Sequence, residues 1–420
     1  RQLSDSSHGF RFAGALFVYA MGAMSLKNPE LLRHNKLLMK VWRGLGKPPC
    51  WVAGGFVRDH LLGHKSTDLD LTLPVNVEAA AQTARRLAAR LGTRAHLLGR
   101  EPRSVWRIET AEFMVEFWPL GLLSLEDDIL RRDFACNALL WQMPNGPLID
   151  RVGGVNDLRE GRIRALSKAN LRDDPVRLLR AARFIAQFDT FELVEETTTW
   201  IRELGPRLGW APRARVGREL LKLLAASGAD RGLRTVLELG LLGPSAPPSA
   251  RVDEQWLDRN CGAARRLAAT RLHPIPSALR EAGDAARLAL VLRAWGAPSL
   301  ELSADYGWSR SRRRHAVRAG ALLDRAAETV NRGSADRREL IHLAGDAFPA
   351  LLAVGSALAA PDPDAVDRWR RWWAQWQRQS GVLVRPAPLV SSGEVKALAD
   401  VADGPLLGRL LGALRRAQVR

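Results

Sequence analysis

Hydrophobic positions change their spacing near residue 165 of this chain. Before that point, short alternating runs lie between glycine turns; after it, apolar residues recur every three or four positions. Residues 28–46 read as helix, and Trp51, Val52 and Ala53 as a short strand ending at Gly54-Gly55. "DLDLTL" (68–73) and "FMVEFW" (113–118) alternate as strands do, while "VEAAAQTARRLAARL" (77–91) has the period of an amphipathic helix. Pro175 suits the first turn of another helix, with Asp174 as its N-cap. On that helix Leu178, Leu179, Ala182, Ile185 and Ala186 make one apolar face, and Arg177, Arg180 and Arg183 share the polar side. Beyond Ala229 the pattern is almost wholly helical, broken by loops at 243–250 and 360–365. Trp369, Trp372, Trp373 and Trp376 fall on one helix face, which burial explains better than stacking on RNA. The pattern gives an α+β fold: a small sheet-containing head followed by an elongated helical arm.

Charge narrows the partner. The 420 residues carry 63 Lys+Arg against 45 Asp+Glu, a net of +18, which favours a polyanion and points first to nucleic acid. An arginine-rich surface without a partner is the plainer alternative. The basic run 308–318 fits either RNA phosphates or a solvated helix face. Cys50, Cys136 and Cys261 are far apart without zinc spacing, so reduced, buried thiols and a cytoplasmic location are expected. None of the histidines has metal-ligand spacing. Phe12–Met24 is an apolar run like a signal-peptide core, too short to span a membrane. The expectation is that Met21 or Met24 is the true start, that residues 1–27 are an N-terminal extension of the gene model, and that no other segment approaches a membrane span.

Candidate chemistry centres on "GGFVRDHLLGHKSTDLDL" (54–71). Asp68 and Asp70, two apart in a strand, point to one face while Leu69, Leu71 and Leu73 point to the core. Paired carboxylates repel unless a proton or cation lies between them, and Mg²⁺ prefers such oxygen ligands. Glu116 in "FMVEFW" is a candidate third carboxylate. A solvated strand face explains D-x-D alone better than a metal site does; the neighbours change that. Gly54 and Gly55 permit close approach of backbone to phosphate, Arg58 can offset phosphate charge, and Asp59 can fix Arg58.

With those residues in place, the chain closely resembles the class II tRNA nucleotidyltransferase and bacterial poly(A) polymerase family. "GGFVRDHLLGHKSTDLDL" resembles its first signature. "DDILRRDFACNALLW" (127–141), "IDRVGGVNDLREGRIRAL" (149–166), "DDPVRLLRAARFIAQF" (173–188) and "RARVGRELLKLL" (213–224) are similar to the motifs that follow, and the C-terminal "PLVSSGEVKAL" and "GPLLGRLLGALRRAQ" to its tail. The resemblance implies a nucleotidyltransferase head (28–165), a helical neck (166–228), and a helical body and tail (229–420) that bind tRNA. It implies template-free addition to an RNA 3′ end, with Asp68 and Asp70 as catalytic metal ligands. Gly54, Gly55, Arg58 and Arg132 would bind the triphosphate and Asp133 the ribose. Asp174 and Arg177 would read the base, supported by Asp173, Arg180 and Arg183.

Cytosine and adenine each present an amine donor beside a ring-nitrogen acceptor, which a carboxylate and a guanidinium complement. Guanine and uracil put a carbonyl against the carboxylate, losing roughly 1–3 kcal/mol or more. A capped amphipathic helix with a solvated basic stripe accounts for the same residues more plainly. Three departures from the family pattern are visible: Asp173 is one methylene shorter than the usual Glu, Ala135-Cys136 replace Thr-Ile, and Ala214 replaces the Glu before Arg215. Arg215 therefore needs another partner, for which Glu219 is a candidate. The segment Pro74–Arg103 is where the resemblance places the flexible loop governing the switch from C to A. The expected activity is addition of CCA to tRNA from CTP and ATP. Addition of CC alone, with a separate A-adding enzyme, remains open, as do poly(A) synthesis and a catalytically silent RNA-binding scaffold.

Overall fold

The computed structural model describes residues 25–98, 104–268, 280–296, 304–329, 333–359, 362–384, 390–399, 401–402 and 404–419. Residues 1–24, with the apolar run Phe12–Met24, lie outside these, as do residues 99–103 of the expected loop.

One mixed sheet holds the head together. Its strands are β1 (Trp51–Ala53), β2 (Asp68–Leu73), β3 (Ala95–Leu98), β4 (Val105–Glu109), β5 (Met114–Pro119), β6 (Leu140–Gln142) and β7 (Leu148–Ile149), in the order β3-β4-β5-β2-β1-β6-β7. Only β2 and β5 run parallel; every other pairing in this sheet is antiparallel. Leu69, Leu71 and Leu73 each keep 1% exposure and join a core with α1 (Lys36–Gly44), α2 (Gly55–Leu61) and α3 (Val77–Arg90). The helical reading of 28–46 is realised as a 3-10 turn, Pro29–His34, followed by α1. On the opposite sheet face Ala53, Ala138 and Leu140 pack against Ile129 of α4 (Leu125–Leu130). Ser124 caps α4 and exchanges hydrogen bonds with Asp127.

After the sheet come α5 (Gly154–Arg159), α6 (Lys168–Asp173), α7 (Val176–Gln187), α8 (Glu195–Leu204), α9 (Arg213–Ala225) and α10 (Ala229–Glu238). Helical periodicity conceals one connection here: β8 (Arg162–Ile163) pairs in parallel with β9 (Glu192–Leu193). The arm continues through α11 (Leu242–Ser245), α12 (Glu254–Ala268), α13 (Arg280–Ala294), α14 (Arg310–Thr329), α15 (Ser334–Ala344), α16 (Phe348–Ala359), α17 (Pro363–Val384), α18 (Ser392–Ala399) and α19 (Pro405–Val419). Trp369, Trp372 and Trp373 are buried and Trp376 is half-buried, with Phe348 stacked on Trp372 and Trp376. Burial is thus the role of that stripe. In the basic run, Trp308 is buried and donates to the carbonyl of Gly217, while Arg312 pairs with Asp284. One expectation is corrected: Ser334–Ala359 is long and apolar enough to cross a membrane. It is mostly buried inside the helical arm and is broken at Gly345 (φ 57°), between α15 and α16.

Candidate active site

Strand register builds the acidic face. Ala53, Asp70 and Glu116 are partners across β1, β2 and β5, so their side chains leave the sheet on one side. Asp68 is exposed and Asp70 half-buried. Burial, with Glu116 and Asp68 adding repulsion, pushes the Asp70 carboxyl up to about 6 against the pull of Arg132 and Arg180. Among the described residues neither the Asp68 nor the Asp70 carboxylate accepts a hydrogen bond or an ion pair. Glu116 differs. Arg107, opposite it on β4, grips its carboxylate through Nε at 2.8 Å and through Nη2. Glu116 thus shares the face of the other two carboxylates, as expected of a neighbour, but is ion-paired to Arg107 where they are open. Among the described residues no three His, Cys, Asp or Glu side chains converge as a metal cluster. The two open carboxylates still offer an oxygen-only donor set, which fits a hard divalent cation.

Gly54 stands at the end of β1 with φ 66° and opens α2. A Cβ there would sit 3.2 Å from both Arg132 Nη1 and Asp70 Oδ2, so the missing side chain keeps a guanidinium, a carboxylate and the backbone close together. Arg132 is held by Asp128, whose Oδ2 accepts from Arg132 Nη2 at 2.7 Å and from Thr72 Oγ1 at 3.2 Å. Asp128 Oδ1 holds Arg131. The chain Thr72–Asp128–Arg132 thereby anchors α4 over the carboxylate face.

Arg58 lies elsewhere than expected. It is 5% exposed, donating Nη1 to Asn137 Oδ1 at 2.5 Å and Nε to Asp59 Oδ1 at 2.8 Å. Its guanidinium covers the rings of Phe184 on α7 (4.9 Å) and of Phe188, the residue that caps the end of α7 (5.1 Å). Asp59 does brace it, but the group is a buried joint between head and arm, not an open phosphate contact. A Cβ on Gly55 would stand 3.5 Å from Arg58 Nη2, an ordinary contact, so this glycine is not required by the packing of Arg58.

Asp133 is also buried. Its Oδ1 accepts from the Phe134 N–H and from Asn137 Nδ2, while Oδ2 faces Arg180 at 3.2 Å. Burial opposes its charge, yet Arg180, Asn137 and Arg177 hold the carboxyl below its usual range. Burial also works against the Arg180 cation, but Asp133, Glu219, Asp174 and Asp70 outweigh it. Arg183 pairs with Glu219 at 2.9 Å, and burial lowers it to about 10.

The expected N-cap is corrected. The helix α7 begins at Val176 with no side-chain cap, and Asp174 closes α6 instead. Its carboxylate turns to arginines: Oδ2 accepts from Arg215 Nη2 at 2.7 Å and lies 3.7 Å from Arg177 Nε. Arg177 also donates Nη1 to the carbonyl of Asn170. Arg215 thus pairs with Asp174, because Glu219 is taken by Arg183. Asp173 faces outward beside Arg172 and braces none of these groups. Sequence reasoning missed Arg107, Asp128, Asn137, Phe184 and Phe188. Asp128 and Asn137 stand inside the second motif and Phe184 and Phe188 inside the fourth; Arg107 carries no local signal. All three cysteines are free and buried, and burial pushes Cys50 and Cys136 up to about 12.

Two family models match the chain: "Poly A polymerase head domain" over residues 50–164, and "Probable RNA and SrmB- binding site of polymerase A" over residues 190–250. An A-adding tRNA nucleotidyltransferase from Deinococcus radiodurans is 31% identical over 409 residues, covering 88% of this chain and 92% of that protein. The chain belongs to the tRNA nucleotidyltransferase and poly(A) polymerase family. It is accordingly a nucleotidyltransferase. A CC-adding tRNA nucleotidyltransferase from Thermus thermophilus is 30% identical over 403 residues, covering 87% of this chain and 88% of that one. The crystal structure of the Bacillus stearothermophilus CCA-adding enzyme in complex with CTP shares the fold, with TM-score 0.64 at 22% identity over 94% of this chain and 93% of that one.

Proposed function

We propose that this nucleotidyltransferase adds C and A to the 3′ end of tRNA from CTP and ATP, without a template and with Mg²⁺. The observation that carries the reading is the pair of open carboxylates, Asp68 and Asp70, beside the Gly54 backbone and Arg132. Asp68 and Asp70 would hold the cation, which supplies Lewis-acid polarisation of phosphoryl oxygens. Gly54 and Gly55 admit the triphosphate close to the backbone, and Arg132 offsets its charge. Asp133 would set the ribose through the Asn137 and Arg180 contacts that fix it. Asp174 Oδ1 takes no partner among the described residues and so can accept an exocyclic amine, while Arg177 donates to the ring nitrogen. Guanine and uracil would leave that charged acceptor unpaired. The division into head (28–165), neck (166–228), and body and tail (229–420) belongs to this proposal, as does a cytoplasmic site of action, where free thiols persist.

A second reading has its own support. The two relatives that span nearly the whole chain carry different printed activities, A-adding and CC-adding. A chain like both can make one part of the CCA end, with a separate enzyme completing it.

The deciding test supplies a tRNA lacking its last three bases, and one ending in CC, with CTP and ATP singly and together, followed by 3′-end sequencing. Ends at CCA support the first reading. Ends fixed at CC, or A added only to CC, support the second. Long A tails make it a poly(A) polymerase. No extension, with the wild type equal to an Asp68→Ala/Asp70→Ala variant, leaves a silent RNA-binding scaffold.

A further inference from the structure

Trp210 closes the 3-10 turn Gly205–Trp210 and keeps 79% of its surface in water. Every other tryptophan of the chain is buried or half-buried. The turn is not loosely attached: Gly205 and Leu208 are buried within it, and it packs on α7, α8 and α11. Arg207 lies 5.4 Å from the Trp210 ring, bracing one side of the indole. An indole fixed at its base and open to water is a surface on which a flat group can stack.

Its position says which flat group. Trp210 leads directly into α9, where Arg215 reaches Asp174 just ahead of α7. Five residues of chain limit the Trp210–Arg215 Cα separation to at most about 17 Å, within the span of a few nucleotides. Arg207 flanks the ring, and close by in sequence stand Arg213, which donates to the Pro244 and Ser245 carbonyls, Arg215, which pairs with Asp174, and Arg218. The neighbouring acids are engaged: Glu203 with Lys168, Glu219 with Arg183, and Asp174 with Arg215. An open aromatic ring amid cations suits a polyanion with exposed bases better than it suits an apolar protein patch.

We propose that Trp210 stacks on an unpaired base of the RNA substrate, among the last nucleotides before its growing 3′ end. This rests on the reading of the chain as a 3′-end nucleotidyltransferase, and adds to it a contact for the primer strand. Because Trp210 is exposed, its substitution should leave folding intact. The probes are two 5′-labelled RNA hairpins with the same stem, one with two unpaired 3′ nucleotides and one blunt. With the full chain, Trp210→Ala is expected to weaken binding of the overhang hairpin by roughly 5- to 100-fold. Blunt-hairpin binding, the KM for nucleotide and the melting temperature should change little, and Trp210→Phe should restore most of the lost affinity. Equal binding by wild type and Trp210→Ala, or equal losses on both hairpins, overturns the proposal. Absence of RNA extension by the wild type defeats the underlying functional reading instead, whatever Trp210 does.

Discussion

Asp174 accepts Arg215 through Oδ2 and keeps Oδ1 available, so the aim of one carboxylate depends on a guanidinium from another helix. Removing a charged hydrogen bond of this kind costs about 1.5–3 kcal/mol. If the chain uses CTP and ATP as proposed, Arg215→Ala is expected to lower its preference for them over GTP and UTP by roughly tenfold or more, read as ratios of kcat/KM. An unchanged ratio would mean that Asp174 is aimed without Arg215. A second residue-scale expectation concerns acid. Burial opposes the Asp128 charge, but Arg132 and Arg131 hold its carboxyl below the ordinary value of 3.8. The folded-state value is depressed, so this contribution to stability is full above that ordinary value and is lost as pH falls beneath it. Asp128→Asn should flatten the acid limb of stability measured by denaturant unfolding across pH 2–5 relative to wild type. The motif made Asp68, Asp70 and Gly54 legible because a strand's period and a glycine turn are local facts. It could not show that Arg58 is turned inward, because its ring partners Phe184 and Phe188 are brought to it by the fold.

At the scale of elements, close backbone approach fixes how the helices cross. A Cβ on Gly217 of α9 would stand 2.3 Å from the Tyr306 carbonyl and 2.8 Å from Trp308 Nε1. Gly217→Ala should cost about 1–3 kcal/mol by forcing that crossing apart, visible as a lower midpoint in denaturant unfolding with little change in slope. The same approach occurs at Gly154, where a Cβ would meet the Ala135 carbonyl at 2.2 Å, tying the third motif to the second. Trp369, Trp372, Trp373 and the half-buried Trp376 could be assigned to a packed face from spacing alone, since four indoles on one face exceed what a solvated helix carries. The β8–β9 pairing could not, because two-residue strands have no period to detect. Asp174 illustrates a third case: its type and position satisfied a capping rule, and tertiary arginines outcompeted the cap.

Across the whole molecule, the net charge of +18 sets how binding responds to salt. If tRNA is the partner, log K should fall linearly with log salt concentration, with a slope near −0.9 per duplex phosphate neutralised. Filter binding over about 50–200 mM salt measures it; a flat response would remove nucleic acid as the polyanion. The Asn137–Arg58–Phe184 joint has a further consequence, for recombination between relatives. Arg58 and Asn137 lie within residues 50–164, which match the head-domain model, whereas Phe184 and Phe188 lie beyond the end of that match. A hybrid spliced there leaves the Asn137 carboxamide with the buried cation but splits that cation from the two rings packed on it. A splice placed after residue 228 keeps them together. Exchange of nucleotide preference between such enzymes would then travel as one inherited block, head with neck, and not as interchangeable halves.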